Sequence, residues 1–141
     1  MALIDDIASI LQTAGVGTIA TTSSATGTIY KGILPEAPTA VIAVLEYEGL
    51  APERVFAGGV ASAHLEHARV QTQVRAATYQ AARDTAQDVL AALDYQQNVT
   101  VNGVRYALIE ALQRPPFPLA NDQNNRTIFA ANFAAQRNRS T

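Results

Sequence analysis

The chain has no cysteine and no tryptophan, one methionine, two histidines, and only 16% charged residues in a length of 141. The absence of cysteine excludes disulfides, thiolate metal sites and cysteine nucleophiles. His64 and His67 are the only imidazoles, so a base that works at neutral pH without a shifted pKa could come from one short stretch alone. No apolar run approaches the ~20 residues that span a bilayer. The opening Met1-Ala-Leu-Ile-Asp-Asp-Ile lacks a basic n-region and brings in two acids at once, which argues against a signal peptide. The expectation is a soluble protein made in a cytosol-like compartment. There the Asn98-Val-Thr, Asn125-Arg-Thr and Asn138-Arg-Ser triplets carry no glycosylation meaning. The net charge of -2 does not suggest general affinity for nucleic acid or anionic membrane. A charged fraction below the ~25% usual for soluble domains leaves a surface of alanine, threonine, asparagine and glutamine. Such a surface suits burial against neighbours, although a general alanine bias would produce it too.

What is present reads as one domain over residues 1–141. Leu3, Ile4, Ile7, Ile10 and Leu11 follow helical spacing from Ala2 to Thr13, and Gly15 and Gly17 supply the stop. A polar loop, Thr21–Gly27, leads to a short extended piece from Ile29 to Leu34, cut off by Pro35 and Pro38. Thr39–Tyr47 is apolar on both faces, the pattern of a strand covered on both sides by helices or by another subunit. Gly49–Ala63 reads as a long loop, of a length that marks function or mobility. Ala68–Ala76 alternates, with Val70, Thr72, Val74 and Ala76 packing and Arg69, Gln71, Gln73 and Arg75 forming a polar, twice-basic face. A helix from about Thr78 to Leu93 buries Tyr79, Ala82, Ala86, Val89, Leu90 and Leu93. Asn102-Gly103 is the preferred pair for a type I′ turn, which sets Val101 against Val104 and Val99 against Tyr106. The second arm runs to about Leu112, and Pro115, Pro116 and Pro118 then oppose regular structure. A last strand, Arg126–Ala135, alternates Phe129, Ala131 and Phe133 inward, and a polar tail from about Gln136 frays.

The chemical constellations are thin. Gly15-Val-Gly17-Thr-Ile-Ala20 matches a dinucleotide fingerprint in letters, but a helix precedes it and a polar loop follows, so it reads as a helix stop. His64 and His67 sit three apart; on a strand they would diverge, and no third ligand accompanies them. Asp5-Asp6 suits the first turn of a helix, and Glu46 with Glu48 forms an acidic rim near a strand end. Asp122 and Arg126, across an asparagine-rich turn, can form a local ion pair worth under ~1 kcal/mol if exposed. No catalytic, cofactor or metal site is expected.

Taken in order, several segments resemble one known family. They are Ala40-Val-Ile-Ala-Val-Leu-Glu-Tyr-Glu-Gly49 with Pro52, Val70-Gln-Thr-Gln-Val-Arg75, Asn102-Gly-Val-Arg-Tyr106, Gln113-Arg-Pro-Pro116, and Asp122–Arg126 leading to Asn132-Phe133. Over Ala2 to Arg137 the chain resembles the minor capsid or tail terminator (tail completion) proteins of long-tailed bacteriophages. The resemblance implies an α+β fold: a mostly antiparallel sheet, of about four to five strands by the segments above, flanked by an N-terminal and a longer central helix. It implies a structural virion protein without enzymatic activity or cofactor. Such a protein forms a hexameric ring that caps the head-proximal end of the tail tube and ends tube growth. Its partners would be the tail tube protein and a head-tail connector or stopper, with DNA passing through unread and no membrane involved, and assembly would occur in the host cytoplasm. Arg69, Arg75, Phe117, Asp122 and Arg126 are the candidate partner or inter-subunit residues, and Phe117 is the anchor between prolines. The alternatives are another head-tail connector or stopper component, or, in a different class, a small cytosolic α+β enzyme or ligand-binding domain using the histidines and the acidic rim.

Overall fold

The computed structural model describes residues 3–20, 27–47, 53–54 and 64–138. The Thr21–Gly27 loop, apart from Gly27, and the Gly49–Ala63 loop, apart from residues 53–54, lie outside the described residues, as does Glu48 of the acidic rim. Two helices, α1 (Leu3–Thr13) and α2 (Tyr79–Leu93), accompany eight strands. These are β1 (Ile29–Lys31), β2 (Val41–Tyr47), β3 (Glu53–Arg54), β4 (His64–Ala76), β5 (Gln96–Val101), β6 (Val104–Ala111), β7 (Phe117–Pro118) and β8 (Thr127–Asn138). They join in one sheet of order β1-β2-β4-β8-β6-β5, with β3 beside β4 and β7 beside β8. Among the described strands only β1 and β2 pair in parallel, and Ile19 adds a parallel bridge to Ile29. The class is α+β, but the sheet has eight strands where four to five were expected. The added ones are mainly two-residue pieces whose pairing no periodicity announces.

Local sequence accounts for most elements. Leu3, Ile7 and Leu11 form the buried stripe of α1, and Gly15, at φ +80, ends it in a conformation that side chains oppose. Thr78 caps α2 by accepting the Ala81 amide at 3.2 Å. Asn102 and Gly103 take φ 51 and 81, the two positive values a type I′ turn requires, and Val101 pairs Val104 while Val99 pairs Tyr106. Val70 and Val74 of β4 and Phe129 and Phe133 of β8 meet Ala82, Ala86, Val89 and Leu93 of α2 in one core. Tyr79 is 55% exposed rather than packed inward, but its ring still meets Phe129 edge-on at 5.1 Å.

Three expectations need correction. β4 starts at His64 and not Ala68, so the two histidines share a strand. β8 runs through Asn138, so residues 136–138 belong to the sheet and not to a frayed tail. Gln136 pairs His67 and Arg137 pairs Glu66, with Arg137 Nε 2.8 Å from the Glu66 carboxylate. The proline segment is not wholly irregular: Phe117 pairs Ala130 and Pro118 pairs Phe129. Proline is tolerated there because β7 is a short marginal strand whose outward side needs no donor.

A buried carboxylate ties α1 to the sheet. Asp6 has no exposed surface; the Tyr106 hydroxyl donates to one of its oxygens and Asn102 Nδ2 to the other at 2.8 Å. Arg137 Nη1 lies 3.9 Å away and supplies the opposite charge. One turn face over, Asp5 holds Lys31 of β1 at 2.7 Å. Burial first, and then the bond to Asp6, push the Tyr106 hydroxyl above its ordinary pKa, so it stays a donor. Tyr106→Phe should destabilise the chain by about 1–3 kcal/mol, because a buried oxygen loses its donor while the ring remains. Phe133→Ala should cost about 3–5 kcal/mol. Denaturant unfolding of both variants checks the values and their order.

Candidate interaction surface

The side of the sheet away from the helices is the feature that the pairing registers define. Side chains of directly paired residues share a face. On this face Val41, Arg75 and Ile128 form one row, and Ala43, Gln73, Ala130 and Phe117 the next. Leu45, Gln71 and Asn132 form a third row; Tyr47, Arg69, Ala134 and Glu110 a fourth. Val41, Ala43, Ile128 and Ala130 are buried, yet they lie apart from the core beneath the helices. Among the described residues neither helix covers this face.

The middle of the face is held by amides. Gln73 Nε2 donates to Gln71 at 2.8 Å, and Gln71 Nε2 donates to Asn132 at 2.9 Å, which links β4 to β8 side chain to side chain. The two central rows carry no charge. At the margins Tyr47, Leu112 and Leu119 remain 37–39% exposed. The result is a fixed surface, neutral at its centre with apolar margins, and this is the composition of a protein-contact core.

The expected site residues divide. Phe117 is half-buried beside Ala130 at the edge of the face, and Arg69 is half-buried in the fourth row. Arg75 is 3% exposed and donates to three backbone carbonyls, those of Glu36, Pro38 and Thr39, at 2.7–3.3 Å. Burial, with Arg126 nearby, lowers its pKa. Arg75 therefore clamps the segment after β1 over the first row. The face expected to be twice basic leaves only Arg69 partly exposed, because Arg75 is buried under the 36–39 segment.

Asp122 and Arg126 do meet, at 2.7 Å, but as a part-buried structural knot. Arg126 is 9% exposed and also donates to the Glu36 carbonyl at 2.7 Å and toward its carboxylate at 3.3 Å. The Asp122 carboxylate accepts the amides of Asn124 and Arg126 at 3.0 and 2.8 Å. Arg75, Asp122 and Arg126 thus converge on the 36–39 segment, while Arg69 and Phe117 stand apart from them. Sequence reading missed Asn132, Leu45 and Tyr47 as members of the face. The outward alternation of Gln71 and Gln73 was visible, but their link to Asn132 required the β4–β8 register.

Among the described residues no group of three or more His, Cys, Asp or Glu could hold a metal ion. Nor is any helix long and apolar enough to cross a membrane. Fold and face together describe an α+β protein with a neutral, hydrogen-bonded sheet face. A family profile described as bacteriophage tail terminator protein matches residues 10–139, and the chain belongs to that family of phage tail structural proteins. A solved structure titled "Virion of native gene transfer agent (GTA) particle" shares the fold at TM-score 0.60 and 13% identity, over 96% of this chain and 94% of that one. A comparison with proteins of curated function gives no match.

Burial would raise the Asp122 pKa, but the Arg126 amide and guanidinium bonds outweigh it and hold the carboxyl below its usual value. A carboxyl depressed by folding contributes stability above its unfolded pKa and loses it as pH falls through the folded one. The melting-temperature gap between the wild type and Asp122→Asn should therefore be largest at neutral pH. It should narrow as pH drops below about 4, where an unfolded carboxylate titrates. Melting curves across that range give the test.

Proposed function

We propose that this chain, acting as one tail-terminator-like domain over residues 1–141, caps the head-proximal end of a phage tail tube as a hexameric ring. In that position it stops tube growth and offers the head's connector or stopper a surface to join. The family match over residues 10–139 carries this reading. The sheet face supports it, because a neutral, pre-ordered surface is what repeated protein contacts need and what a passing DNA duplex does not hold. A heterologous contact between identical copies closes into a ring when its rotation allows. The role is mechanical, with assembly in the host cytoplasm and residence in the virion.

Light scattering of the purified chain across a wide concentration range, at two salt levels, should show growth toward a closed species of six-fold mass. A mass that stays monomeric throughout would refute ring formation. Phe117, half-buried at the edge of this face, is the side chain through which joining is tested. Phe117→Ala should leave the far-ultraviolet circular dichroism unchanged and lower the fraction of tails joined to heads, counted by electron microscopy. Normal particles at normal infectivity would remove Phe117 from the joint.

A further inference from the structure

The Asn102-Gly103 turn carries a reactivity that its structural role does not use. A backbone amide can attack the side-chain carbonyl of an asparagine before it, and glycine, lacking a Cβ, leaves that approach open. Of the chain's asparagines only Asn102 is followed by glycine. Asn98 and Asn125 share its positive φ, at 49 and 59 against 51, but Val99 and Arg126 follow them. Both turn residues are exposed, and a Cβ built on Gly103 would meet nothing within 4 Å, so no neighbour crowds the pair. The same side chain is bound into the helix contact. Asn102 Nδ2 donates to Asp6 at 2.8 Å and to Ser9 Oγ at 3.3 Å, while Asp6 itself has no exposed surface.

We propose that Asn102 is a site of spontaneous deamidation, held in check by the seated α1, and that its conversion undocks that helix. In the first step the Gly103 amide nitrogen bonds to Asn102 Cγ. The side-chain nitrogen leaves as ammonia, with the proton that the backbone amide gives up. Water then opens the cyclic imide at either carbonyl, to aspartate or isoaspartate, so one water enters for each ammonia lost. The departing nitrogen is the one that Asp6 and Ser9 hold, so ring closure needs α1 to let go of it. Once formed, the acid presents a carboxylate where Asp6 had a donor. Two like charges at hydrogen-bond distance, one of them shut away from water, oppose each other. The isoaspartate product also lengthens the backbone of a two-residue turn that sets the β5–β6 register. Because the ammonia escapes, the change is one-way, and the turn keeps a chemical record that the helix has lifted.

The full-length chain is aged in warm neutral buffer and followed by peptide mapping that separates asparagine, aspartate and isoaspartate. Position 102 should convert ahead of every other asparagine; no conversion there, or earlier conversion elsewhere, would overturn the site. Tyr106→Phe loosens Asp6 without touching the turn, whereas Phe133→Ala lowers overall stability by more. Under conditions where circular dichroism shows both variants folded, Tyr106→Phe should convert faster than Phe133→Ala. The opposite order would overturn the check by α1, since global unfolding would then set the rate. Asn102→Asp should exchange the hydrogen-bonded amides of α1 at least ~10-fold faster than the wild type, because a bond to a charged group is lost. Combining Asp6→Asn with Asn102→Asp returns one acid and one amide to the contact and should restore most of that protection. Wild-type protection in the single variant, or none regained in the double, would overturn the coupling to the helix.

Discussion

The ladder between β4 and β8 is the constraint on which the molecule depends. It runs unbroken from Leu65 opposite Asn138 to Ala76 opposite Thr127. Because side chains alternate along a strand, this one register decides both faces of the sheet. It sends Val70, Val74, Phe129 and Phe133 under the helices, and Gln71, Gln73 and Asn132 to the other side. A slip by one residue would exchange the two sets, burying glutamines and exposing phenylalanines. Core and outer face are therefore fixed by a single pairing.

The helix layer is fastened by a different kind of force. The apolar stripe of α1 would pack in more than one rotation, because Ile4 and Ile10 flank Leu3, Ile7 and Leu11. Asp6 removes that freedom, since its carboxylate must find both the Tyr106 hydroxyl and the Asn102 amide or remain buried without partners. The cost of an unsatisfied charge specifies the docking angle more sharply than area alone. A comparable device fixes the segment after β1, where Arg75 and Arg126 collect the carbonyls of residues 36–39.

Both helices, the Asn102-Gly103 turn and the inward residues of the long strands were legible in the sequence, because each follows from a local period or a backbone preference. The short strands were not. β7 forms because Phe117 and Pro118 meet β8, a partner that no local signal names. The candidate face was half legible. Alternation displayed Gln71 and Gln73, but Arg75 looked the same by period and proved buried, since its fate was decided by carbonyls some forty residues upstream. Arg126 looked like a weak surface pair for the same reason; its partner Glu36 is distant in sequence. Tyr106 could be placed opposite Val99 from the turn, but not opposite Asp6. In each failure the deciding contact was long-range and polar, and periodicity carries no information about such contacts.

The amide bridge from Gln73 through Gln71 to Asn132 bears on how a particle tolerates its medium. Dissolved ions screen attractions between exposed charges, most strongly those more than about a Debye length apart, and uncharged contacts do not depend on that screening. A protein contact seated on those central rows would keep its strength from fresh water to brine.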